Sequence, residues 1–547
     1  MSFNEASTLS RRRFLQTSGI ATLSLALGGC LGKIHSTSQK PDILLILADD
    51  MGYSDLGCYG SEINTPNIDR LAAAGSRYTH FYNAARCCPS RASLLTGLYP
   101  HQAGMGKMVT NAAPPDTGPY QGFLNTRCVT LADVLKTAGY HTYMSGKWHV
   151  GAHRPNWPCD RGFDKYFGLI SGAANYFDIT RYEAKNVVRQ MAVDNRPYTP
   201  PKENFYLTDA ITDGALGFID AAKENDNIPF FLYVAYTAPH WPLHALPEDI
   251  EKYKGHYDAG WDEIRQKRFE KMKRLGILEP EMEYPPRDEE VPAWSEVSED
   301  NKTFVTKKME VYAAQIDRMD QGIGKILKKL DDTGRRDNTI IIFLSDNGGC
   351  HEGGVYGFDQ RKNGLPPGGV DSFMSYGRGW ANVSNVPFRM FKHWTHEGGI
   401  ATPFIISWPA TLKEQGTITK RVGHIIDIMP TLCQVSGARY PATRDGTPIL
   451  PPEGNSLLGR EKPDRIYCWE HFGNKAAIQG DWKLVAKVNG DWELYHLQRD
   501  RTELNNVSAQ YPDKVEELKK IYNAWARRCG VEEKKPNPER VKNKSSG

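Results

Sequence analysis

The sequence lacks three features that would each narrow its function at once. Its ten cysteines include no C-x-x-C pair, so neither a zinc site nor a disulfide scaffold is implied. No stretch beyond the N-terminal region is apolar enough for a transmembrane helix. The formal net charge is only +3, without a basic block before the last residues, which argues against a nucleic-acid or membrane-surface role. At 547 residues, 40% apolar and 24% charged, the chain is typical of a soluble globular protein with one large and one smaller domain.

The first 30 residues have the pattern of an export signal. Residues 10–16, Ser-Arg-Arg-Arg-Phe-Leu-Gln, resemble a twin-arginine signal, and the apolar stretch that follows, residues 20–27, is too short to span a bilayer. Leu27-Gly28-Gly29-Cys30 resembles a lipobox, in which Cys30 would be lipidated. We therefore predict a chain that uses the export machinery and is either periplasmic or a lipoprotein anchored at Cys30.

Short apolar runs that end in polar residues recur along the chain. Unbroken runs of this kind are typical of strands that are covered on both faces of a parallel sheet. They occupy residues 42–48, 141–144, 230–236 and 339–344. Helical patterns lie between them, at residues 66–75, at 130–138 and over a long helix through residues 309–330. The sequence therefore predicts an α/β fold, a large mostly parallel sheet flanked by helices, with its site at the carboxyl ends of the strands.

The pattern changes after about residue 455. Four short strand patterns and a helix predict a small antiparallel sheet packed with a helix; they occupy residues 466–469, 476–478, 482–486, 492–495 and 512–528. We predict an export signal over 1–30, a catalytic domain over 40–455, a C-terminal α+β subdomain over 456–531 and a charged tail over 532–547. Within the catalytic domain we interpret residues 246–300, which include a helix from Trp261 to Arg274, as a surface insertion. Residues 350–390 are interpreted as a pocket-lining loop.

The segment from Cys87 to Gly97 carries the most specific motif. It reads Cys-Cys-Pro-Ser-Arg and continues through Leu-Thr-Gly. Pro89 sets a helical φ and Gly97 suits a helix end, so we predict a helix from about Ser90 to Thr96 with Cys87 just before it. The free N–H groups at that end favour an anion. The alternative is a buried cysteine pair beside a structural helix.

Acidic residues end two of the predicted strands. If the strands are neighbours, oxygen ligands converge that suit Ca²⁺ or Mg²⁺; they come from Asp49, Asp50, Asp346 and Asn347. Three clustered carboxylates without a cation would repel one another. Calcium is favoured over magnesium because the larger ion accepts an irregular oxygen cage more easily. The alternative is that these are independent turn or cap residues.

Basic residues form the third candidate group, and several of them follow predicted strands. The group comprises Arg91, Lys147, His149, His240 and Lys392. A single lysine or histidine is usually a solvated surface group or a satisfied core residue. Several that gather at strand ends predict an anion site.

These motifs together resemble those of the type I sulfatases, arylsulfatase-like enzymes of the alkaline phosphatase superfamily. The pattern C-x-P-S-R with T-G matches their signature, and residues 146–149 match G-K-W-H. Lys392 matches K-x-x-x-x-E-G-G, and His240 matches the histidine of A-P-H. The resemblance covers nearly all of residues 40–530. It departs from the family at Ala401-Thr402, which replace Arg-Val, and at Cys88, a second thiol beside the first.

The resemblance implies a sulfuric ester hydrolase and assigns the candidate residues to roles. In that family the first cysteine of the motif, here Cys87, is oxidised to formylglycine by a formylglycine-generating enzyme. The acidic set would bind Ca²⁺, which also contacts position 87. The aldehyde hydrate would attack sulfur, oriented by Arg91, and His149 would assist the collapse of the intermediate. Lys147 and His240 would lie near the leaving oxygen, with His240 the preferred general acid, while Lys392 stabilises charge.

Two other functions stay open at this point. A phosphonate or phosphate monoester hydrolase of the same superfamily shares the fold and the metal carboxylates. An inactive glycan-binding lipoprotein would have broken ligands or no nucleophile, whereas every expected position is filled here. The substrate would be a sulfated small molecule or glycan, either an aryl sulfate or a sulfated carbohydrate.

Overall fold

Parallel strands covered on both faces form the centre of the structure, a computed structural model that describes residues 40–110, 118–181, 189–224, 228–412 and 415–532. The large sheet consists of β1 Asp42–Asp49, β2 Ser76–Tyr82, β3 His141–Gly146, β4 Lys165–Leu169, β5 Met191–Val193, β6 Arg196–Tyr198, β7 Phe230–Pro239, β8 Thr339–Ser345, β9 Phe404–Ser407 and β10 Thr417–His424. The export signal predicted for residues 1–30, with Cys30, and the tail beyond residue 532 lie outside the described residues.

The strand order across this sheet is β10-β2-β9-β8-β1-β7-β3-β4-β5-β6. The central strands β8, β1, β7, β3 and β4 run parallel to one another, while β9, β5 and β6 pair antiparallel with their neighbours. The four strands predicted from apolar runs are β1, β3, β7 and β8. The predicted mostly parallel sheet is therefore confirmed, with antiparallel strands added to a parallel centre.

Helices cover both faces of the sheet. They are α1 Pro66–Ala73, α2 Cys87–Thr96, α3 Leu131–Lys136, α4 Leu207–Lys223, α5 Pro247–Glu251, α6 Gly260–Arg274, α7 Glu299–Asp332, α8 Gly377–Ser384, α9 Glu397–Ile400, α10 Ile428–Ser436 and α11 Pro512–Cys529. Alternate residues of β1 enter opposite cores, Leu44 and Ile46 on one side and Ile43 and Leu45 on the other. This is why β1 is apolar without a break. Among the described residues, none of the helices has the length and apolar character needed to cross a membrane.

Two expectations from the sequence are corrected. Helix α2 begins at Cys87 and not at Ser90, so Cys87 lies in its first turn; it ends as predicted at Gly97, whose φ is 70°. The surface insertion predicted for residues 246–300 is wrong for α6. Trp261 and Arg268 on this helix are each only 1% exposed, and Arg268 forms ion pairs with Asp55 and Glu62.

The C-terminal part forms the predicted antiparallel sheet packed with a helix. Two short strands of two residues each precede this sheet and pair with each other, β11 Thr443–Arg444 and β12 Thr447–Pro448. The sheet itself comprises β13 Ile466–His471, β14 Asn474–Gln479, β15 Trp482–Ala486 and β16 Glu493–His496. Helix α11 packs on β14 and β15. The division of the chain near residue 455 stays a prediction.

Buried ion pairs connect this small sheet to the rest of the chain. Lys483 on β15 contacts Glu397 at 2.9 Å and Glu503 at 2.7 Å, and all three side chains are fully buried. Arg501 also donates to Glu397, at 2.9 Å. Buried charges of this kind need every partner, because removing one leaves the others unpaired in a poorly solvating interior.

We expect Lys483→Met to lower the free energy of unfolding by about 3–5 kcal/mol, since it leaves Glu397 and Glu503 short of a buried partner. Urea unfolding followed by tryptophan fluorescence measures the loss. The matched control is Lys514→Met, which removes an exposed ion pair with Glu517 and is expected to change the stability by less than about 1 kcal/mol. Equal losses in the two variants would contradict a structural role for the buried pairs.

Candidate active site

The register of the parallel strands brings the acidic residues together. Ala48 of β1 lies opposite Ser345 of β8, so the next residues, Asp49 and Asp346, leave neighbouring strand ends side by side. Asp49 is also paired with Pro239 of β7, which places His240 at the same edge. The predicted convergence at the carboxyl ends of the strands is therefore what the structure has.

The acidic group is buried and connected by its own hydrogen bonds. The backbone N–H of Asp50 donates to Oδ1 of Asp346 at 3.2 Å, and Nδ2 of Asn347 donates to Oδ1 of Asp50 at 2.7 Å. Asp49, Asp50, Asp346 and Asn347 are all at most 1% exposed. The four residues predicted as oxygen ligands of a metal are thus in one place.

Each of the three carboxylates has a basic partner. Arg91 donates from Nε and Nη2 to Oδ2 of Asp346 at 3.1 and 2.9 Å, and Lys147 contacts Oδ2 of Asp49. Lys392 donates to Oδ2 of Asp50 at 2.7 Å. Three acidic and three basic groups therefore balance before any ligand binds.

Burial and the neighbouring charges shift the pKa values of the three carboxyl groups in different directions. Burial, followed by the charge of Asp346, raises the pKa of Asp49. Burial also raises the pKa of Asp346, in spite of Arg91. For Asp50, burial is outweighed by His240 and Lys392, so that its pKa is lowered. Asp49 and Asp346 are therefore the carboxyls with the most to gain from a further positive charge.

Two buried oxygens have the right chemistry for a hard cation. Among the described residues, Oδ1 of Asp49 and Oδ1 of Asn347 have no hydrogen-bond partner. Buried oxygens without partners are rare and call for an explanation. A divalent cation that prefers oxygen ligands would satisfy both, so the four residues fit Ca²⁺ or Mg²⁺.

Cys87 lies beside this group, at the start of α2. It is buried, and Sγ of Cys87, Sγ of Cys88 and a ring nitrogen of His149 all lie within 4.8 Å of one another. The hydrogen bond with Cys88 and the nearby Lys147 and His149 hold the pKa of Cys87 well below its usual value, against the effect of burial. Its charge acts on Asp50 and Asp346. The reactive thiol and the acidic group therefore share one site.

His149 is held in a constrained position against Cys88. Its φ is 56°, an uncommon value outside glycine, and Nε2 lies 3.3 Å from Sγ of Cys88. Gly172 makes this possible, because a Cβ at that position would overlap the imidazole. Burial lowers the pKa of His149 to about 3, so the ring is neutral at pH 7 and can accept a proton.

His240 faces the acidic group from the other side. Its Nδ1 lies 2.6 Å from the carbonyl oxygen of Trp241, which can only accept, so Nδ1 carries a proton. Its Nε2 lies 3.4 Å from Oδ2 of Asp50 and 3.3 Å from Nζ of Lys392. Burial lowers the pKa of His240, which makes its protonated ring a stronger acid.

Sequence reasoning missed three residues at the solvent side of the site. Glu352 accepts hydrogen bonds from Arg86 at 3.0 Å and from Trp241 at 2.8 Å. Arg86 directly precedes Cys87, and Trp241 directly follows His240, so adjacency to the motifs was the available signal. Glu352 had been included only in the loop over residues 350–390.

Comparisons with known proteins identify the family of this chain. The family model described as Sulfatase matches residues 41–438, and one described as N-sulphoglucosamine sulphohydrolase, C-terminal, matches residues 388–524. An uncharacterized sulfatase of Schizosaccharomyces pombe is 33% identical over 91% of this chain and 95% of its own length. The arylsulfatase of Klebsiella aerogenes is 35% identical over 80% of this chain and 95% of its own length.

Further relatives include proteins named for carbohydrate substrates. The N-acetylgalactosamine-6-O-sulfatase of Bacteroides thetaiotaomicron is 29% identical over 92% of this chain and 96% of its own length. Among solved structures, that of Ps i-CgsB in complex with k-i-k-neocarrahexaose is 26% identical with a TM-score of 0.66, over 89% of this chain and 93% of the other. Since a sulfatase model spans most of the sequence and full-length relatives share a third of it, the chain belongs to the sulfatase family and is a sulfuric ester hydrolase.

Proposed function

We propose that this enzyme hydrolyses sulfate monoesters, of aryl or carbohydrate alcohols, with formylglycine at position 87 and a Ca²⁺ ion at the acidic group. The convergence of Cys87, three buried carboxyls and three basic side chains at one edge of the sheet carries the proposal. The ligands of the ion would be Asp49, Asp50, Asp346 and Asn347, together with position 87.

Formylglycine and Ca²⁺ supply the reactive functions when they are present. The hydrated aldehyde would supply a hydroxyl nucleophile and a second hydroxyl that can give up a proton, and Ca²⁺ would supply a positive charge for the sulfate oxygens. The unpartnered oxygens of Asp49 and Asn347 support the ion. A larger ion suits the site better than Mg²⁺, because Mg²⁺ demands near-ideal octahedral geometry and keeps several waters.

The basic residues of the chain prepare the site for an anion. Once a divalent cation joins three carboxylates already balanced by Arg91, Lys147 and Lys392, the site has an excess of positive charge. That excess attracts the ester and stabilises the charge that grows on the leaving oxygen. Asp50 raises the pKa of Lys392 well above its usual value in spite of burial, so this lysine stays charged.

His149 acts as the proton acceptor on the nucleophile side. It is neutral, and a ring nitrogen lies within 4.8 Å of the sulfur of Cys87. His149 would therefore be the group that accepts a proton from a hydroxyl at position 87. Arg91, fixed between Asp346 and the carbonyl oxygen of Lys147, orients that hydroxyl.

His240 acts as the proton donor on the leaving-group side, next to Lys147. Its Nδ1 proton is held by the carbonyl oxygen of Trp241, so Nε2, which lies beside Asp50 and Lys392, is the nitrogen that would carry a proton to the leaving oxygen. Lys392, 3.3 Å from Nε2, assists by its charge.

The names of the relatives support two substrate classes. Klebsiella aerogenes has an arylsulfatase, and Bacteroides thetaiotaomicron an N-acetylgalactosamine-6-O-sulfatase. We propose that a sulfated carbohydrate is the substrate and that aryl sulfates serve as test compounds. Export before activity, through residues 1–30 and with a lipid on Cys30, is a further proposal that rests on the sequence alone.

Calcium is expected to stabilise the chelator-treated protein, since it binds only the folded site. At a concentration a hundred times Kd the gain is about 2.7 kcal/mol, which differential scanning fluorimetry detects as a rise in Tm. Asp49→Asn should abolish most of this rise, while the surface control Asp513→Asn keeps it. A Tm that does not respond to Ca²⁺ in the unsubstituted protein would refute the ion.

Tandem mass spectrometry of the peptide that contains residues 87 and 88 is expected to find an aldehyde at position 87 in active enzyme. Cys87→Ala should lower kcat at least about 1,000-fold, because it removes the nucleophile. Cys88→Ser tests which thiol is modified, and it should still acquire the aldehyde at position 87. Fully active enzyme with an unmodified Cys87 would contradict the mechanism.

The enzyme should prefer 4-nitrophenyl sulfate to 4-nitrophenyl phosphate, by at least about 100-fold in kcat/KM, because the chain belongs to the sulfatase family. The two esters share a leaving group, so release of 4-nitrophenol measures both. A preference for the phosphate, or for a phosphonate monoester, would replace sulfatase activity by the superfamily alternative.

A further inference from the structure

The carboxylate of Glu352 lies at the solvent side of the site, although the proposed substrate is itself an anion. Both oxygens of Glu352 are fixed: Oε1 accepts from Arg86 at 3.0 Å and Oε2 accepts from Nε1 of Trp241 at 2.8 Å. The backbone of Glu352 is anchored as well, since its carbonyl oxygen accepts from Oγ of Ser375 at 2.6 Å. The side chain therefore has one position and not a range of them.

This position adjoins the leaving-group side of the reaction. The rings of Trp241 and His240 are in contact, with centroids 4.6 Å apart, so Glu352 is separated from the proton donor by one side chain. Its other partner, Arg86, is next to Cys87 in the sequence. The Glu352 side chain is 25% exposed and that of Arg86 is 19% exposed, whereas Lys392 is 2% exposed. Glu352 and Arg86 are therefore accessible from solvent, whereas Lys392 is enclosed.

The charge of Glu352 is maintained by its surroundings. Burial would raise its pKa, but Lys392 and Arg86 outweigh burial and hold the pKa of Glu352 well below its usual value. An ionised carboxylate near the mouth of an anion site weakens the attraction for every anionic substrate. A negative charge at this position is expected if it excludes substrates that carry a further negative charge.

We propose that Glu352 is a specificity-determining residue, which selects neutral or cationic leaving groups and rejects those that carry a second anionic group. A carboxylate or a neighbouring sulfate on the substrate would lie close to Glu352 and be repelled, while hydroxyl or ammonium groups would be accepted. The inference rests on the proposed function, because it concerns the leaving group of that reaction.

A structural role alone can be separated from this one. If Glu352 served only to hold Arg86 and Trp241, glutamine would keep one of the two hydrogen bonds, because its carbonyl oxygen accepts while its amide NH2 can only donate. Loss of the negative charge alone would then leave the choice of substrate unchanged. The two roles differ in the ratio of two substrates, which a general loss of activity does not move.

The experiment compares two 7-sulfooxycoumarins, one with a 4-methyl and one with a 4-carboxymethyl group, which release similar fluorescent phenols. Enzyme in which the aldehyde at position 87 has been verified is assayed as the unsubstituted protein, Glu352→Gln and Glu352→Ala. The matched control is Glu453→Gln, since Glu453 also pairs with an arginine and an amide, Arg528 and Gln102, but lies in a different part of the structure. Thermal melting verifies that each variant is folded.

The unsubstituted enzyme is expected to prefer the methyl compound. Glu352→Gln should raise the kcat/KM ratio of the carboxymethyl to the methyl compound by about 5–10-fold, and Glu352→Ala should shift it the same way. The shift should shrink in 0.5 M salt, where a charge effect is screened, and Glu453→Gln should leave the ratio unchanged.

An unchanged ratio in both Glu352 variants, with the methyl compound still hydrolysed, overturns the inference and leaves the proposed function intact. Absence of hydrolysis of either compound by the verified unsubstituted enzyme instead counts against the proposed reaction on such esters, and the inference falls with it. A ratio that shifts equally in Glu453→Gln would mean a diffuse effect of net charge and would also overturn the inference.

Discussion

Repulsion among three buried carboxylates is the constraint on which the rest of the site depends. Asp49, Asp50 and Asp346 are brought together by the register of β1 and β8, and burial strengthens their repulsion. The structure opposes it with a guanidinium and two ammonium groups, supplied from α2, from the end of β3 and from the loop before α9. In the proposed mechanism the same positive groups bind an anionic substrate, so the groups that offset this repulsion would also provide anion binding.

The central strands and the long helix could be predicted because the residue patterns that determine them lie within short stretches of the sequence. The apolar runs of β1, β3, β7 and β8 reveal strands buried on both faces, and the apolar face of α7 reveals a helix packed on the sheet. Polar residues that follow such strands must lie at one edge of the sheet. The acidic group therefore followed from the strands, and the motif residues Cys87, Lys147, His149, His240 and Lys392 followed from family resemblance.

What sequence could not provide depends on partners that are distant in the chain. Arg268 reads as a solvated charge until the fold brings Asp55 and Glu62 to it, and this is why α6 was mistaken for surface. The sequence around Glu352 does not indicate a role either, because its hydrogen-bond partners, Arg86 and Trp241, are distant in the chain. The start of α2 moved by three residues because Cys87 already has helical geometry, a detail within the usual uncertainty of helix ends.

The buried ion pairs of Lys483 have a consequence for how this chain could be shortened or recombined. Glu397, which they hold, begins the short helix that follows the loop carrying Lys392. Buried ion pairs thus join the small sheet to the segment that carries Lys392, one of the residues proposed to bind the anion. Exchanging this part of the chain between relatives would therefore require its basic and acidic partners, Lys483, Arg501, Glu397 and Glu503, to be transferred as one set.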